Sequence, residues 1–328
     1  SENFNDDMNL SLEGIGAVLS QEDEYTVIQS ILPGSPAEKT KKLKPKDKII
    51  GVRQKGGANE DIIGWRLTEV VKKIKGKKGT SVTLEIERDE GASAKTFNVE
   101  IVRDKIRLQD KEAKSKVYTA FDGKKIGVIT ISSFYTDLHL NVKREINKLK
   151  EQNVQAIIVD LRNNGGGLLP EAVYTTGLFI KKGPVVQVRD VNANQVPYDD
   201  TDESIAYKGP LVVLINRLSA SSSEIMAAAL QDYGRAIVVG DTSYGKGTVQ
   251  QSRPLTRFYD LDVDYGSIHY TIAKFYRING GSTQLNGVTP DIELPTLIDV
   301  TELGERTEPN ALRWDKISAS DYVKYGTP

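Results

Sequence analysis

Hydrophobic patterning divides the chain into two styles. Between about residues 10 and 105, apolar residues come in brief alternating stretches such as Val27-Ile28, Ile49-Ile50, Val82/Leu84/Ile86 and Phe97/Val99/Ile101, bounded by Gly, Pro or Asp. That period of two predicts short strands. One interruption has helical spacing, Leu67, Val70, Val71 and Ile74, and Gly76 closes it. The pattern predicts a small β-rich module carrying one amphipathic helix.

From about residue 106 the runs Ile126–Ile131, Ala156–Leu161, Val185–Val188, Leu211–Ile215 and Ala236–Val239 alternate with helical segments. This is the pattern of an α/β unit with crossover connections. One helix over 138–150 carries Leu138, Val142, Ile146 and Leu149 on one face; another begins after Pro170; a third starts near Ser222, buries Ile225, Met226, Ala229 and Leu230, and stops at Gly234. Residues 266–279 alternate again as sheet. The last thirty, mixed in Pro, Glu, Thr and Asp, predict a loosely ordered tail. No internal repeat is evident.

The 328 residues allow about two domains. With 44 basic residues against 45 acidic ones, the net charge of −1 offers no general attraction to nucleic acid or to an anionic membrane. The longest aliphatic run, Leu211–Ile215, falls far short of the ~20 residues that cross a bilayer. At most peripheral membrane association is expected. The chain opens on Ser1 without an initiator Met, the mark of a trimmed or mature piece. Cysteine is absent and histidine occurs only at His139 and His269, which removes cysteine hydrolases and thiolate metal sites and leaves little from which to build a zinc site.

Three loops at the C-terminal ends of predicted strands could carry chemistry, since open α/β sheets place their ligands there. Asp160-Leu161-Arg162-Asn163-Asn164-Gly165-Gly166-Gly167 runs from strand into three glycines, whose N–H groups can approach an anion or a developing oxyanion closely. Read alone, it is equally a flexible turn. Ser219-Ala220-Ser221-Ser222-Ser223-Glu224 places serines at a strand-to-helix turn; one of them caps the helix, and a cluster of four leaves room for a nucleophile. Gly240 to Lys246 spells most of a phosphate-binding loop, but Gly247 stands where that loop needs Ser or Thr. A β-branched segment follows instead of a helix, so a nucleotide is not expected.

On a strand, Lys246, Thr248 and Gln250 share a face, which aims the lysine and lets Gln250 hold it. To act as a general base, a lysine must be moved down from ~10.4 toward neutrality, and burial among apolar neighbours does that. With histidine so scarce, lysine is the economical partner for a serine nucleophile.

The serine cluster, the Gly245-Lys246-Gly247-Thr248-Val249-Gln250 segment 25 residues after Ser221, and the glycine loop, taken in order and spacing, resemble the Ser–Lys C-terminal processing, or tail-specific, peptidases. The resemblance extends over essentially the whole chain. It implies Ser221 as nucleophile, Lys246 as general base and Gln250 as the residue orienting the lysine. The oxyanion would be held by the N–H of Ser222 and that of Gly167 or Gly166. Most relatives have Ala at the position of Ser222, which leaves Ser219 and Ser223 as lesser nucleophile candidates. Asp232 resembles an acidic position that supports the site.

The N-terminal module resembles a PDZ domain, with Gly14-Ile15-Gly16-Ala17 similar to its carboxylate-binding loop and Leu67, Val70 and Val71 as candidates for the apolar pocket. The physics agrees: successive N–H groups make a nest for a terminal carboxylate, and the peptide adds as a strand.

The implied architecture is a PDZ domain over 1–105, a ClpP/crotonase-like α/β peptidase core over 106–295 and a C-terminal extension over 296–328. The implied function is a periplasmic bacterial endopeptidase, with a place beside the inner membrane and for an adaptor protein. It grips polypeptides by nonpolar C-termini and needs no metal, nucleotide or other cofactor. Three rivals remain: a catalytically silent PDZ scaffold, a crotonase-like enzyme holding a thioester enolate on the glycine loop, and, third, a P-loop enzyme that nucleotide binding would reveal.

Overall fold

A computed structural model describes residues 11–89, 91, 93–107, 112–255, 266–296 and 303–326. The expected terminal segments at 1–10, 297–302 and 327–328 therefore lie outside the described residues. The chain forms two compact units, Leu10–Gln109 and Asp110–Pro328.

In the first unit the strands are β1 (Ser11–Gly14), β2 (Ala17–Glu22), β3 (Tyr25–Ile31), β4 (Lys48–Gln54), β5 (Glu60–Asp61), β6 (Ser81–Asp89), β7 (Ala94–Val102) and β8 (Asp104–Arg107). Two helices interrupt them, α1 (Pro36–Lys39) and α2 (Leu67–Ile74). The main sheet runs β2-β3-β4-β6-β7, with β5 against β4, and β1 pairs antiparallel with β8. That last pair carries the unit past residue 105. Alternation works as the sequence reading requires: Val82, Leu84 and Ile86 of β6 and Val99 and Ile101 of β7 point into one apolar cluster. Strand β2 is an edge strand, and α2 lies against it.

The second unit continues with β9 (Lys114–Thr119), β10 (Lys125–Thr130), α3 (Leu138–Glu151), β11 (Ala156–Asp160), α4 (Leu169–Gly177), β12 (Gly183–Asp190), β13 (Gln195–Asp200), β14 (Leu211–Ile215), α5 (Ser222–Asp232), β15 (Ile237–Gly240), β16 (Thr248–Pro254), β17 (Ser267–Tyr276) and β18 (Ile292–Glu293). Its central sheet has the order β18-β15-β14-β11-β10-β9, parallel from β10 to β18, with β9 antiparallel at one edge. The runs that read as buried strands are buried: Ile157, Val159, Val213 and Val238 are each inaccessible to solvent. Helix α5 is apolar nearly all round, Ile225 to Leu230 being wholly inside, because α4 and strands β12 and β15 surround it. A separate antiparallel sheet has the order β13-β12-β17-β16.

Strands β11, β14 and β15 are adjacent and parallel, so the three loops singled out above leave one sheet edge side by side. The tail departs from expectation. Residues 303–326 hold little regular structure but are pinned: the Trp314 indole N–H donates to Ser282 O at 2.9 Å, Ile317 N to Gly280 O at 2.9 Å, and Asp315 bridges Arg189 and Lys274. Several of its polar groups thus serve contacts with the core, while most of its residues remain exposed.

Candidate active site

The serine loop separates its four hydroxyls by burial and by partner. Ser219 Oγ donates to Leu161 O at 2.8 Å, Ser222 Oγ to Gly167 O at 3.1 Å and Ser223 Oγ to Asn164 O at 2.8 Å, and all three residues are at most 1% exposed. Those hydroxyls are structural. Ser221 is half-buried, and its Oγ donates to no acceptor among the described residues. Its backbone, at φ 56° and ψ −114°, is a conformation that a non-glycine residue rarely takes. Such strain costs about 1–3 kcal/mol and persists where the surroundings over-determine it. Here it turns the chain sharply from β14 into α5 and presents the hydroxyl outward, as a nucleophile elbow does.

The glycine loop is riveted to this elbow. Ala220 N donates to Asn164 O at 3.0 Å, the carbonyl that Ser223 Oγ also reaches. Asn164, fully buried, donates to Ile131 O at 2.8 Å and accepts the N–H of Gly166 at 2.9 Å. That engagement separates the two glycine candidates. The Gly166 N–H is used inside the loop, whereas those of Gly167 and Ser222 meet no acceptor among the described residues.

Both glycines are required by space. A Cβ on Gly166 would stand 2.8 Å from Ser221 Cβ and 3.1 Å from Ser222 N, and one on Gly167 would stand 2.2 Å from Phe134 O. Gly167 also lies at φ +148°. Gly167→Ala should therefore displace the loop from Phe134, lowering the melting temperature and suppressing any Ser221-dependent reaction together; calorimetry beside an activity assay checks both.

The lysine loop meets the elbow through Glu224, which was not singled out above although Ser221 and Glu224 stand at the capping-box spacing. Its carboxylate is wholly buried. Oε2 accepts the N–H of Ser221 at 2.8 Å and of Lys246 at 3.0 Å; Oε1 accepts Ser243 Oγ at 2.6 Å and Gly245 N at 2.7 Å. The backbone nitrogens of Ser221 and Lys246 thus lie no more than about 6 Å apart across one oxygen. Burial pushes this carboxyl up to about 7, against the four hydrogen bonds, each of which pulls it down.

Lys246 Nζ donates to Gln250 Oε1 at 3.2 Å, and among the described residues no hydrogen bond joins it to Ser221 Oγ. Lys246 is half-buried and Gln250 exposed, so the dry pocket expected for the lysine is absent here. Thr248 and Gln250 do not share a face as simple alternation predicts. A register shift between Val249 and Gln250 intervenes, Thr248 being buried and Gln250 in solvent.

Asp232 is a further correction. It closes the far end of α5, about 16 Å from Ser221 at 1.5 Å per residue, where it accepts from Arg277 at 2.6 and 3.0 Å and from Asn279 at 2.8 Å. It anchors that end of the helix and touches none of the reacting groups.

In the first unit, the N–H groups of Ile15 and Gly16 meet no acceptor among the described residues, while the carbonyls of the same residues accept Ala37 N and Leu32 N. Consecutive free donors suit a carboxylate. Val70 is not part of a pocket: it is fully buried in the core cluster with Ile15. Leu67 and Val71, one turn apart and half-buried, and Ala17 and Leu19 of β2 are the apolar positions nearer the surface. Among the described residues, no group of His, Asp and Glu has the makings of a metal site.

Comparison with known proteins places the chain in a family. The family model described as peptidase family S41 matches residues 125–294, and a PDZ domain model matches residues 4–87. The chain is 54% identical over 327 residues to the tail-specific protease of Haemophilus influenzae, covering 99% of this chain and 47% of that protein. It is 35% identical over 300 residues to a probable CtpA-like serine protease of Staphylococcus aureus, covering 90% of this chain and 55% of the relative. The chain thus spans about half the length of these curated relatives. Among solved structures it is similar to the photosystem II D1 C-terminal processing protease, with 25% identity, a TM-score of 0.51, and coverage of 88% of this chain and 74% of that one.

Proposed function

We propose, on the premise that the chain belongs to peptidase family S41 and carries a PDZ domain, that it is the tail-gripping and cutting part of a serine endopeptidase. The observation that carries this reading is Ser221. Of the four serines in its loop, it has the hydroxyl that donates to no acceptor among the described residues, on a strained elbow beside the N–H groups of Ser222 and Gly167, which likewise meet none there.

Ser221 Oγ attacks the scissile carbonyl carbon, and the neutral amine of Lys246 takes the hydroxyl proton. Charge developing on the carbonyl oxygen is met by the N–H groups of Ser222 and Gly167. Lys246 then returns its proton to the leaving amine nitrogen as the C–N bond breaks. A water, deprotonated by the same amine, adds to the acyl carbon; the C–Oγ bond breaks, and the ammonium returns its proton to Ser221 Oγ as the acid product leaves. Gln250, accepting from Nζ at 3.2 Å, is assigned the orienting of that amine. Because Lys246 is only half-buried, the reading requires bound substrate to cover the open side and exclude water, which favours the uncharged amine.

The substrate's C-terminal carboxylate is assigned to the Ile15 and Gly16 N–H groups and its last, apolar side chain to Leu67 and Val71, with the peptide pairing along β2. A reporter peptide ending in free Ala-Ala should be cleaved with a kcat/KM about 10- to 100-fold above its amidated twin, most of the difference in KM, since a charge-assisted hydrogen bond to the carboxylate is worth about 1.5–3 kcal/mol. Equal cleavage of the two peptides would remove the tail-gripping role. Binding without cleavage by the wild type would favour a silent scaffold, and tight coenzyme A binding the crotonase-like alternative.

A periplasmic location belongs to the same proposal and rests on the family resemblance; cell fractionation tests it. Among the described residues no helix is long and apolar enough to cross a membrane.

A further inference from the structure

The lysine loop is held from two sides, and the two supports differ in kind. Glu224 sits in the first turn of α5 and binds the N–H of Ser221 itself, so it travels with the nucleophile. The second support comes from outside that helix. Gln284, in the loop after β17, is fully buried and spends its amide on three partners. Its Oε1 accepts the N–H of Gly247 at 2.8 Å, and its Nε2 donates to Glu305 Oε1 at 3.1 Å and to Leu312 O at 3.0 Å. Glu305 N donates to Tyr244 O at 3.0 Å and Leu285 N to Gly245 O at 2.8 Å, so the tail segment and the loop after β17 grasp residues 244–247 together. Contact is close: a Cβ on Gly247 would stand 2.7 Å from Gln284 N.

Lys246 lies in the middle of this grip, and its amine points to Gln250 with no hydrogen bond to Ser221 Oγ. Closing the dyad therefore depends on where the loop backbone is held.

We propose that Gln284 is a positioning residue for Lys246, and that through it the tail segment around Glu305 and Leu312 sets the alignment of the dyad. This deepens the peptidase reading and rests on it. Gln284 touches neither substrate nor the reacting atoms. A displacement of about 1 Å at a reacting group is enough to cost roughly 100-fold in rate.

The test compares wild type with Gln284→Ala, which removes both sides of the tie, and Glu305→Ala, which loosens the tail side at a half-buried position and should leave folding intact. Readouts are kcat and KM on the free-carboxyl reporter peptide, the rate of Ser221 labelling by a fluorophosphonate, thermal melting, and hydrogen exchange of a peptide spanning 244–250. The expected result is a loss in kcat and labelling of about 30- to 100-fold for Gln284→Ala and about 3- to 10-fold for Glu305→Ala. KM should stay within twofold, and exchange at 244–250 should quicken in both.

Unchanged kcat and labelling in Glu305→Ala, or a fall in melting temperature in Gln284→Ala with kcat retained, would make these contacts merely structural and overturn the proposal. If Gln284→Ala does not fold, the Glu305→Ala result decides. Failure of the peptidase reading is recognised separately, because wild type would then show neither cleavage nor labelling.

Discussion

Ser221→Ala and Lys246→Ala should each lower kcat/KM on the free-carboxyl reporter by at least about 10⁴-fold, with the double variant no worse than either single one. Nucleophile and base act as one unit, so removing either removes covalent catalysis, and only substrate binding and oxyanion stabilisation remain. Lys246→Arg should fail equally, because a guanidinium stays protonated and cannot accept the hydroxyl proton. Melting temperatures should barely move: Ser221 Oγ donates to nothing among the described residues, and Lys246 is tied through its side chain only to exposed Gln250. Substitution of Ser221 should relieve none of the backbone strain unless glycine is introduced, so Ser221→Gly is the variant expected to gain stability while losing activity. Steady-state kinetics with fluorophosphonate labelling checks the set, and cleavage surviving in Lys246→Ala would end the mechanism.

The second large effect should come from Glu224→Gln. Each carboxylate oxygen accepts two donors, so whichever oxygen becomes an NH₂ group faces at least one backbone N–H that cannot turn away, either that of Gly245 or those of Ser221 and Lys246. One buried donor left unmet costs about 1–3 kcal/mol, and the accompanying shift of the serine against the lysine should cost about 100-fold or more in kcat.

The carboxyl also makes stability depend on pH in a definite direction. Burial holds it at about 7 in the folded chain, above its value in the unfolded chain. Between about 4.5 and 7 the folded form binds more protons, so the Glu224 contribution is fully present at the acid end and is lost as pH rises through about 7. The difference in unfolding free energy between wild type and Glu224→Gln should therefore shift against the wild type by up to about 3 kcal/mol across that window, at about 1.4 kcal/mol per unit. Denaturant titrations at several pH values test it; a flat difference would mean that the carboxylate is ionised throughout.

Much was legible in the one-dimensional pattern because it rests on short-range rules. Alternation and apolar runs located many of the strands, though not β1, β5, β8, β9, β13 or β18, helical spacing located α2, α3 and α5, and the order of glycine, serine and lysine loops pointed to the chemistry through residue types that allow few alternatives once cysteine and histidine are scarce. What the pattern missed depends on distance through space. Val70 has the same spacing and hydropathy as Leu67 and Val71, but only packing shows that it faces the core. Asp232 shares a helix with the serine loop, yet three turns separate them and Arg277 claims its charge. The bulge at Val249/Gln250 breaks an alternation that the residues themselves do not contradict.

The amino-acid sequence by itself determined which groups are available for reaction and that their loops follow the C-terminal ends of strands in an α/β unit, because side-chain chemistry and periodicity are local properties. Tertiary structure decided which of the serines has a hydroxyl that donates to no acceptor among the described residues, which glycine has an N–H without one, and that a buried glutamate and a buried glutamine hold the lysine between them. Those are questions of hydrogen-bond partnership between segments distant along the chain, such as Gly247 with Gln284, and partnership of that kind is settled only when the backbone has been folded and every buried donor has found, or been denied, its acceptor.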